Sequence, residues 1–224
     1  LLNPTKTDSR LLAIADIHGY QEELMLLLKE AAYNPHHDRL ILLGDYIDAD
    51  RPATWGTLDT VHQLITEGAR ALLGNQELRL LASAKSSRAL HPETKEWLRE
   101  LPLYLVDGQY LFVHAGIRPG VPLHEQKTKD LTEIRDEFIY APLSGADEAQ
   151  SYTIIFGHTP TFKLDASSPG AIWQGNRRFA IDTGAKHGCR LTLLDVSSQL
   201  SYSCSTAPES GCGDFRLEKL KTPI

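Results

Sequence analysis

Hydrophobic residues in this chain gather into short runs that stop at small or polar residues. Residues 11–15, 40–43 and 71–73 form the first three, and residues 110–113, 153–156, 179–181 and 190–194 form four more. Each run is shorter than an ordinary helix and rich in Leu, β-branched or aromatic residues, so each reads as a buried strand. Seven strands are expected. Between the first three, Leu24, Leu27, Leu28 and Ala31, then Leu58, Val61, Leu64 and Ile65, recur at the three- and four-residue spacing of one helix face. The alternation predicts β-α-β-α-β for the opening third. Further helices are expected over 78–83 and 92–101, where Pro92 suits a first helical position and Pro102 helps to stop the helix, and a charged helix over 129–140. Residues 144–151 and 164–175 read as surface loops, and 205–224 as a mobile tail whose first part is rich in Ser, Gly and Pro. With no repeat, heptad or linker, the pattern predicts one domain over 1–224. Its class is α/β (α+β by some schemes): a central mixed β-sandwich flanked by helices.

Composition narrows the chemistry. A chain of 224 residues with 42% hydrophobic residues can build a substantial core. A formal net charge of −6 favours neither nucleic acid nor an anionic membrane as a standing partner. The apolar runs fall far short of the ~20 residues that span a bilayer, and residues 1–10 lack a signal-peptide pattern. Cys189, Cys204 and Cys212 form no C-x-x-C pair, which argues against a disulfide framework or a thiolate zinc site and for a cytoplasmic location.

The ends of the strands carry the functional signal. The first stops at Asp16-Ile17-His18-Gly19, the second at Gly44-Asp45-Tyr46-Ile47-Asp48, and the third at Gly74-Asn75-Gln76-Glu77. The fourth stops at His114-Ala115-Gly116 and the fifth at Gly157-His158-Thr159-Pro160. Alone, Asp16, Asp45 or Asn75 is as well explained by a helix cap or a turn. Five successive strand ends that each carry an oxygen or nitrogen ligand are not. In sheets of this kind the carboxyl ends of the strands share one edge, so loops distant in sequence converge there. Mixed Asp, His and Asn donors without thiolate suit a pair of divalent ions, manganese first and iron or zinc next. Such a pair activates water and stabilises charge in displacement at phosphorus.

These motifs resemble the calcineurin-like metallophosphoesterase superfamily, and within it the phosphoprotein phosphatase (PPP) family of small bacterial and phage serine/threonine phosphatases, over residues 11–196. The resemblance implies Asp16, His18 and Asp45 as ligands of one metal and Asp45, Asn75, His114 and His158 as ligands of the other. It implies a serine/threonine phosphoprotein phosphatase in which a metal-bridging hydroxide attacks phosphorus, with a phosphorylated protein or small phosphoester as substrate. The run from His114 to Gly120 is equally similar to a second branch of the same fold, the dinucleoside-polyphosphate hydrolases.

Two positions depart from the family pattern. A His that protonates the leaving alcohol is expected after the metal-binding Asn, with an acid to orient it; here the position is Gln76, and Asp48 and Glu77 are the acids that would do the orienting. An amide cannot give up a proton near neutral pH, and loss of a positioned acid costs ~10²- to 10⁴-fold in rate, most for poor leaving groups. Gln76 is read in three ways: an inactivating substitution, a non-catalytic metal-loaded phosphate binder, or an enzyme for a substrate with a good leaving group. The second departure is the phosphate-clamping Arg expected directly after Asp48, for which Arg51 is the nearest substitute. Arg135 stands in the segment that resembles the family's second phosphate-binding Arg, and a guanidinium fork suits a phosphate dianion. His187 falls near the same edge, where the family has no ligand.

Overall fold

The computed structural model describes residues 9–83, 89–142, 151–164, 170–209 and 214–221. Its strands, in chain order, are β1 (Leu11–Ile14), β2 (Arg39–Leu42), β3 (Arg70–Ala71), β4 (Tyr104–Asp107), β5 (Tyr110–Val113) and β6 (Thr153–Phe156). They continue with β7 (Trp173–Gly175), β8 (Arg178–Ala180), β9 (Arg190–Asp195), β10 (Leu200–Ser205) and β11 (Phe215–Lys219). The α-helices are α1 (Gln21–Glu30), α2 (Thr57–Thr66), α3 (Asn75–Ala82), α4 (Pro92–Glu100), α5 (Thr128–Glu133) and α6 (Asp136–Ile139). Two mixed sheets result, with strand orders β11-β10-β9-β1-β2-β3 and β4-β5-β6-β8-β7. Strands β1, β2 and β3 run parallel in the first; β5, β6 and β8 run parallel in the second.

Side-chain alternation explains why the strands read as unbroken apolar runs. Leu11, Ala13, Ile41 and Leu194 point to the space between the sheets, where they meet Phe112, Ile155 and Phe179. Their neighbours Leu12, Ile14, Leu40 and Leu42 point the other way, onto Leu24, Leu27 and Leu28 of α1 and Leu58, Val61 and Leu64 of α2. Leu111, Val113, Ile154 and Phe156 likewise leave the second sheet on its outer side and pack with Ile134 and Phe138. Both faces of the central strands are therefore buried, as in parallel sheets generally. Each fully buried Leu or Phe contributes about 1.5–3 kcal/mol, and the expected mixed sandwich flanked by helices is the one observed.

Several local expectations are corrected. All seven expected strands are present within a residue or two, but β4, β7, β10 and β11 add to them. Strand β10 (Leu-Ser-Tyr-Ser-Cys-Ser) is largely polar and β11 is exposed along its whole length, so neither has an apolar run to announce it. Part of the expected tail is thus an edge strand: Leu200↔Lys219 to Cys204↔Phe215 pair antiparallel, and Arg190 anchors the turn by an ion pair to Asp214 at 2.6 Å. Within the expected loop 164–175, Trp173–Gly175 pairs with β8. Residues 144–150, 165–169, 210–213 and 222–224, the remainder of these loops and of the tail, lie outside the described residues. The charged helix breaks into α5 and α6 because Ile134 is extended and Arg135 non-helical, which lets Ile134 and Phe138 both close on Gly116 at a distance no Cβ would permit. Arg178, a charged residue at the start of β8, is buried; its guanidinium lies 4.9 Å from the Phe138 ring and donates to the carbonyls of Ile139 and Ala141. Among the described residues no helix is long and apolar enough to cross a membrane.

Candidate metal centre

The loops that leave β1, β2, β5 and β6, together with the start of α3, bring the six candidate ligands to one edge of the sandwich. Asp16, His18, Asp45 and His158 all have left-handed backbone, with φ of 54°, 49°, 55° and 64°. They make up four of only seven non-glycine residues with positive φ among the described residues, so this strain is concentrated at the candidate site. Such conformations cost on the order of 1–3 kcal/mol each and persist only where surrounding contacts over-determine them. Here the contacts are visible: Asp16 N–H donates to Gly44 O at 3.1 Å, His18 N–H to Asp45 O at 3.0 Å, and His158 N–H to Asp16 Oδ2 at 2.9 Å. Two glycines are dictated by close approach. A Cβ on Gly157 would run into Asp16 Oδ2, and one on Gly74 into the backbone N of Asp45.

Two groups of donor atoms emerge, Asp16–His18–Asp45 and Asp45–His114–His158, each with its ligand atoms within 4.8 Å of one another. Asp45 belongs to both, which is the placement a carboxylate needs to bridge two ions. The His114 Nδ1–H donates to the Leu43 carbonyl at 2.8 Å, which turns Nε2 toward Asn75 Oδ1 at 3.1 Å and Asp45 Oδ1 at 3.4 Å. That outer hydrogen bond fixes the tautomer in the way metal-ligating imidazoles require.

The electrostatics of these groups test whether cations fit. Burial and the neighbouring Asp182 and Asp45 carboxylates push Asp16 well above the usual carboxylate range, and burial pushes Asp45 up to about 6. Asp182 is raised by burial as well. The ion-pair neighbours of Asp16 and Asp45 are imidazoles, His18 Nε2 at 3.9 and 3.8 Å and His114 Nε2 at 3.4 Å. His114 in turn is lowered to about 4 by burial, and His158 is lowered by burial and by His114 and Arg135, so both offer neutral nitrogen lone pairs. Crowded buried carboxylates beside the neutral His114 and His158 are an unfavourable set by themselves and a favourable one around divalent cations. The donor set fits metal ions.

Around this core the structure sorts the other candidates. A cavity of about 160 Å³ is lined by Asp16, His18, Asp45, Asn75, His158, Gln76 and Arg135, among others, while His114 lies fully buried beneath it. Arg135 is tied to the β6 loop, donating to His158 O and Thr159 Oγ1 at 3.1 Å each. Gln76 Oε1 accepts the Ala49 N–H at 3.1 Å, which leaves its NH₂ for the cavity. Arg51 is not brought in: its side chain is 70% exposed, 3.6 Å from Asp48 Oδ2, and lines a neighbouring cavity of about 290 Å³. Glu77 does not orient residue 76 either. It is fully buried behind the candidate ligands, where it accepts the N–H groups of Asp45, Tyr46 and Gly74. Asp48 lies 3.0 Å from His18 Nδ1 and is ion-paired with Lys186; burial opposes its ionisation, but these two partners overcome it and hold the carboxyl well below its usual range. Lys163, Asp182 and Lys186 also line the first cavity and escaped the sequence reading, whereas His187 lines it as its position suggested. The Ile181-Asp182-Thr183-Gly184 turn was the one signal that could have drawn attention to them.

A mixed sandwich that gathers two carboxylate–imidazole groups around one shared Asp at the strand edge is the architecture of a metal-dependent hydrolase. The chain belongs to the calcineurin-like phosphoesterase family, whose model matches residues 9–192. It is 34% identical over 228 residues to a protein of Actinobacillus pleuropneumoniae serotype 5b (strain L20) named bis(5'-nucleosyl)-tetraphosphatase, symmetrical, covering 94% of this chain and 78% of that protein. A relative of the same name from Aromatoleum aromaticum is 38% identical over 123 residues, and that match covers 48% of this chain but only 44% of the relative. Among solved structures, one described as a candidate diadenosine tetraphosphatase superposes with a TM-score of 0.72 at 20% identity, over 90% of this chain and 96% of the other. At that identity the likeness is one of fold.

Proposed function

We propose that this chain hydrolyses a phosphoanhydride bond of a dinucleoside polyphosphate, with Asp16, His18, Asp45, Asn75, His114 and His158 holding two divalent ions and Arg135 holding phosphate oxygens. Bound there, the ions would polarise the phosphoryl group and lower the pKa of water. The observation that carries the reading is Gln76. It stands at the cavity wall where a proton donor would serve an alkoxide, and its amide NH₂ offers a hydrogen bond but no proton. A leaving nucleoside phosphate departs as a stable anion at neutral pH and needs no donor; a Ser or Thr alkoxide does. The names of the relatives agree with this reading rather than with a serine/threonine phosphoprotein phosphatase. Lys163, Lys186 and Arg135 along the same cavity suit a substrate that carries several phosphates.

The test is product analysis. Metal-loaded protein is incubated with diadenosine tetraphosphate and, separately, with a phosphothreonine peptide. Release of two ADP per dinucleotide is expected, with peptide turnover lower by ~10²-fold or more. Turnover of the peptide in preference to the dinucleotide overturns the reading. So does turnover of neither with two metals bound, which would instead describe a phosphate-binding protein.

A further inference from the structure

Two cavities meet at one wall. The larger, about 290 Å³, is lined by Asp48, Asp50, Arg51, Gln76, Arg79, Lys186 and His187, and shares Gln76, Lys186 and His187 with the cavity that holds the candidate metal ligands. None of the six candidate ligands lines the larger cavity. A phosphoryl group held among those ligands must release its departing oxygen on the side opposite the attacking water, and the shared wall is the boundary with a further chamber. Lys186 stands at that wall by construction. It sits in a single 3-10 turn (Ala185–His187) between two left-handed glycines, Gly184 (φ 86°) and Gly188 (φ 69°). Ala185 beside it is buried, and its carbonyl accepts the Thr206 hydroxyl at 2.8 Å. The Lys186 ammonium is ion-paired with Asp48, the acid that also braces His18. An ammonium has three donors, and one bond to Asp48 leaves others for a ligand.

We propose that the larger cavity receives the leaving group and that Lys186, aimed by Asp48, binds the oxygen that departs. This deepens the hydrolase reading and rests on it for the reaction, though not for the binding. In the step, the water oxygen forms the new P–O bond and its proton passes to solvent. The old P–O bond breaks with its electron pair staying on the leaving oxygen, and the Lys186 ammonium meets that developing charge by a hydrogen bond without giving up a proton. A fixed cation serves a leaving group that departs as an anion; it replaces, at this wall, the proton donor that Gln76 cannot be. The chemical class of that leaving group follows from the lining. Arg51, Arg79 and Lys186 set three cations against the two carboxylates Asp48 and Asp50, which favours a phosphate-bearing group such as a nucleoside diphosphate over a neutral alcohol.

The experiment compares metal-loaded wild type, Lys186→Met and Lys186→Arg in two measurements. The first is hydrolysis of aryl phosphates whose phenols span a range of acidity. Lys186→Met is expected to lose about ten- to hundredfold on the least acidic phenol, the size of one charge-assisted hydrogen bond, and much less on the most acidic, with Lys186→Arg restoring most of the loss. The second is calorimetric binding of ADP and of inorganic phosphate. ADP affinity is expected to fall about tenfold in Lys186→Met while phosphate affinity is unchanged. An equal loss across all phenols would mean that Lys186 only steadies Asp48 and His18, and unchanged ADP affinity would remove the leaving-group site; either result overturns the proposal. If diadenosine tetraphosphate is not a substrate but the phenol dependence steepens as expected, the dinucleotide reading fails and Lys186 keeps its role.

Discussion

Glu77 Oε2 accepts the backbone N–H of Asp45 at 2.9 Å, so the acid beside the cavity is held by an acid behind it. Glu77 Oε1 takes the next N–H, that of Tyr46, at 2.8 Å, and burial together with the nearby Asp45 charge pushes the Glu77 carboxyl up to about 7. The carboxyl group fixes the left-handed turn at Asp45 by accepting both N–H groups, and Gln offers only one acceptor. Glu77→Gln is therefore expected to leave a buried N–H facing an NH₂ and to cost about 1–3 kcal/mol. Thermal unfolding should show a lower Tm, and metal titration a weaker affinity. A variant with wild-type Tm and metal content would remove Glu77 from the support of the site.

The buried acids also set how stability depends on pH when metal is removed. His114 and His158, lowered by burial, act in the opposite sense, but above about pH 7.5 they are neutral in both folded and unfolded chains and add little. Glu77, raised to about 7, still binds protons in the fold that the unfolded chain has lost, and Asp16, raised well above the usual range, acts in the same sense. His18 acts in the same sense: burial lowers its pKa, but Asp48 and Asp45 outweigh burial and raise it overall. The fold thus holds more protons than the unfolded chain, and stability falls as pH rises. Metal-free protein should lose Tm from about pH 7 to 8.5, where the unfolded histidines have shed most of their charge. Added manganese should raise Tm most at the upper end, because cations replace the lost protons. A flat Tm in the chelated protein would contradict this account.

How far the sequence could be read depends on what each residue does locally. Asp16, Asp45, His114 and His158 were legible because an apolar run stops and a polar side chain follows, and that break is where a buried strand meets a sheet edge. The sandwich was legible for the same reason, since Leu11, Ala13, Ile41 and Phe112 face a second sheet and cannot be polar. Strand β11 was not, because an exposed edge strand buries too little to constrain its composition. Lys186 was invisible in another way: its ion pair with Asp48 joins residues 138 apart in the chain, and no local pattern records a partner at that distance. Glu77 was seen but misplaced, because a helical residue next to Gln76 in sequence points to the opposite side, into the Asp45 turn.

The sharing of Asp45 between the two donor groups makes metal stoichiometry informative. His158 belongs to one group only, so His158→Ala is expected to lower bound manganese from two ions to about one per chain. Asp45→Asn weakens both groups and should lower it further, to below one. Metal content after exhaustive dialysis, measured by atomic emission, decides. Equal losses in the two variants would mean that Asp45 does not bridge.

Gln76 and Lys186 define the last expectation. Introducing His at position 76 supplies a proton donor, but the acid that would orient it, Asp48, is already paired with Lys186. Gln76→His alone is therefore expected to improve turnover of a phosphothreonine peptide modestly. Gln76→His with Lys186→Ala, which removes the ammonium from Asp48 Oδ1 and leaves that carboxylate to His18 and the new imidazole, should improve it more, toward the ~10²-fold that general acid catalysis provides. Dinucleotide turnover should move in the opposite direction in the double variant, because its leaving phosphate gains nothing from a proton and loses the ammonium. The comparison is a double-mutant cycle on two substrates, with kcat/KM as the readout. If both substrates improve by the same factor, the departing group required a proton from the start, and Gln76 marks an impaired phosphatase rather than an adapted anhydride hydrolase.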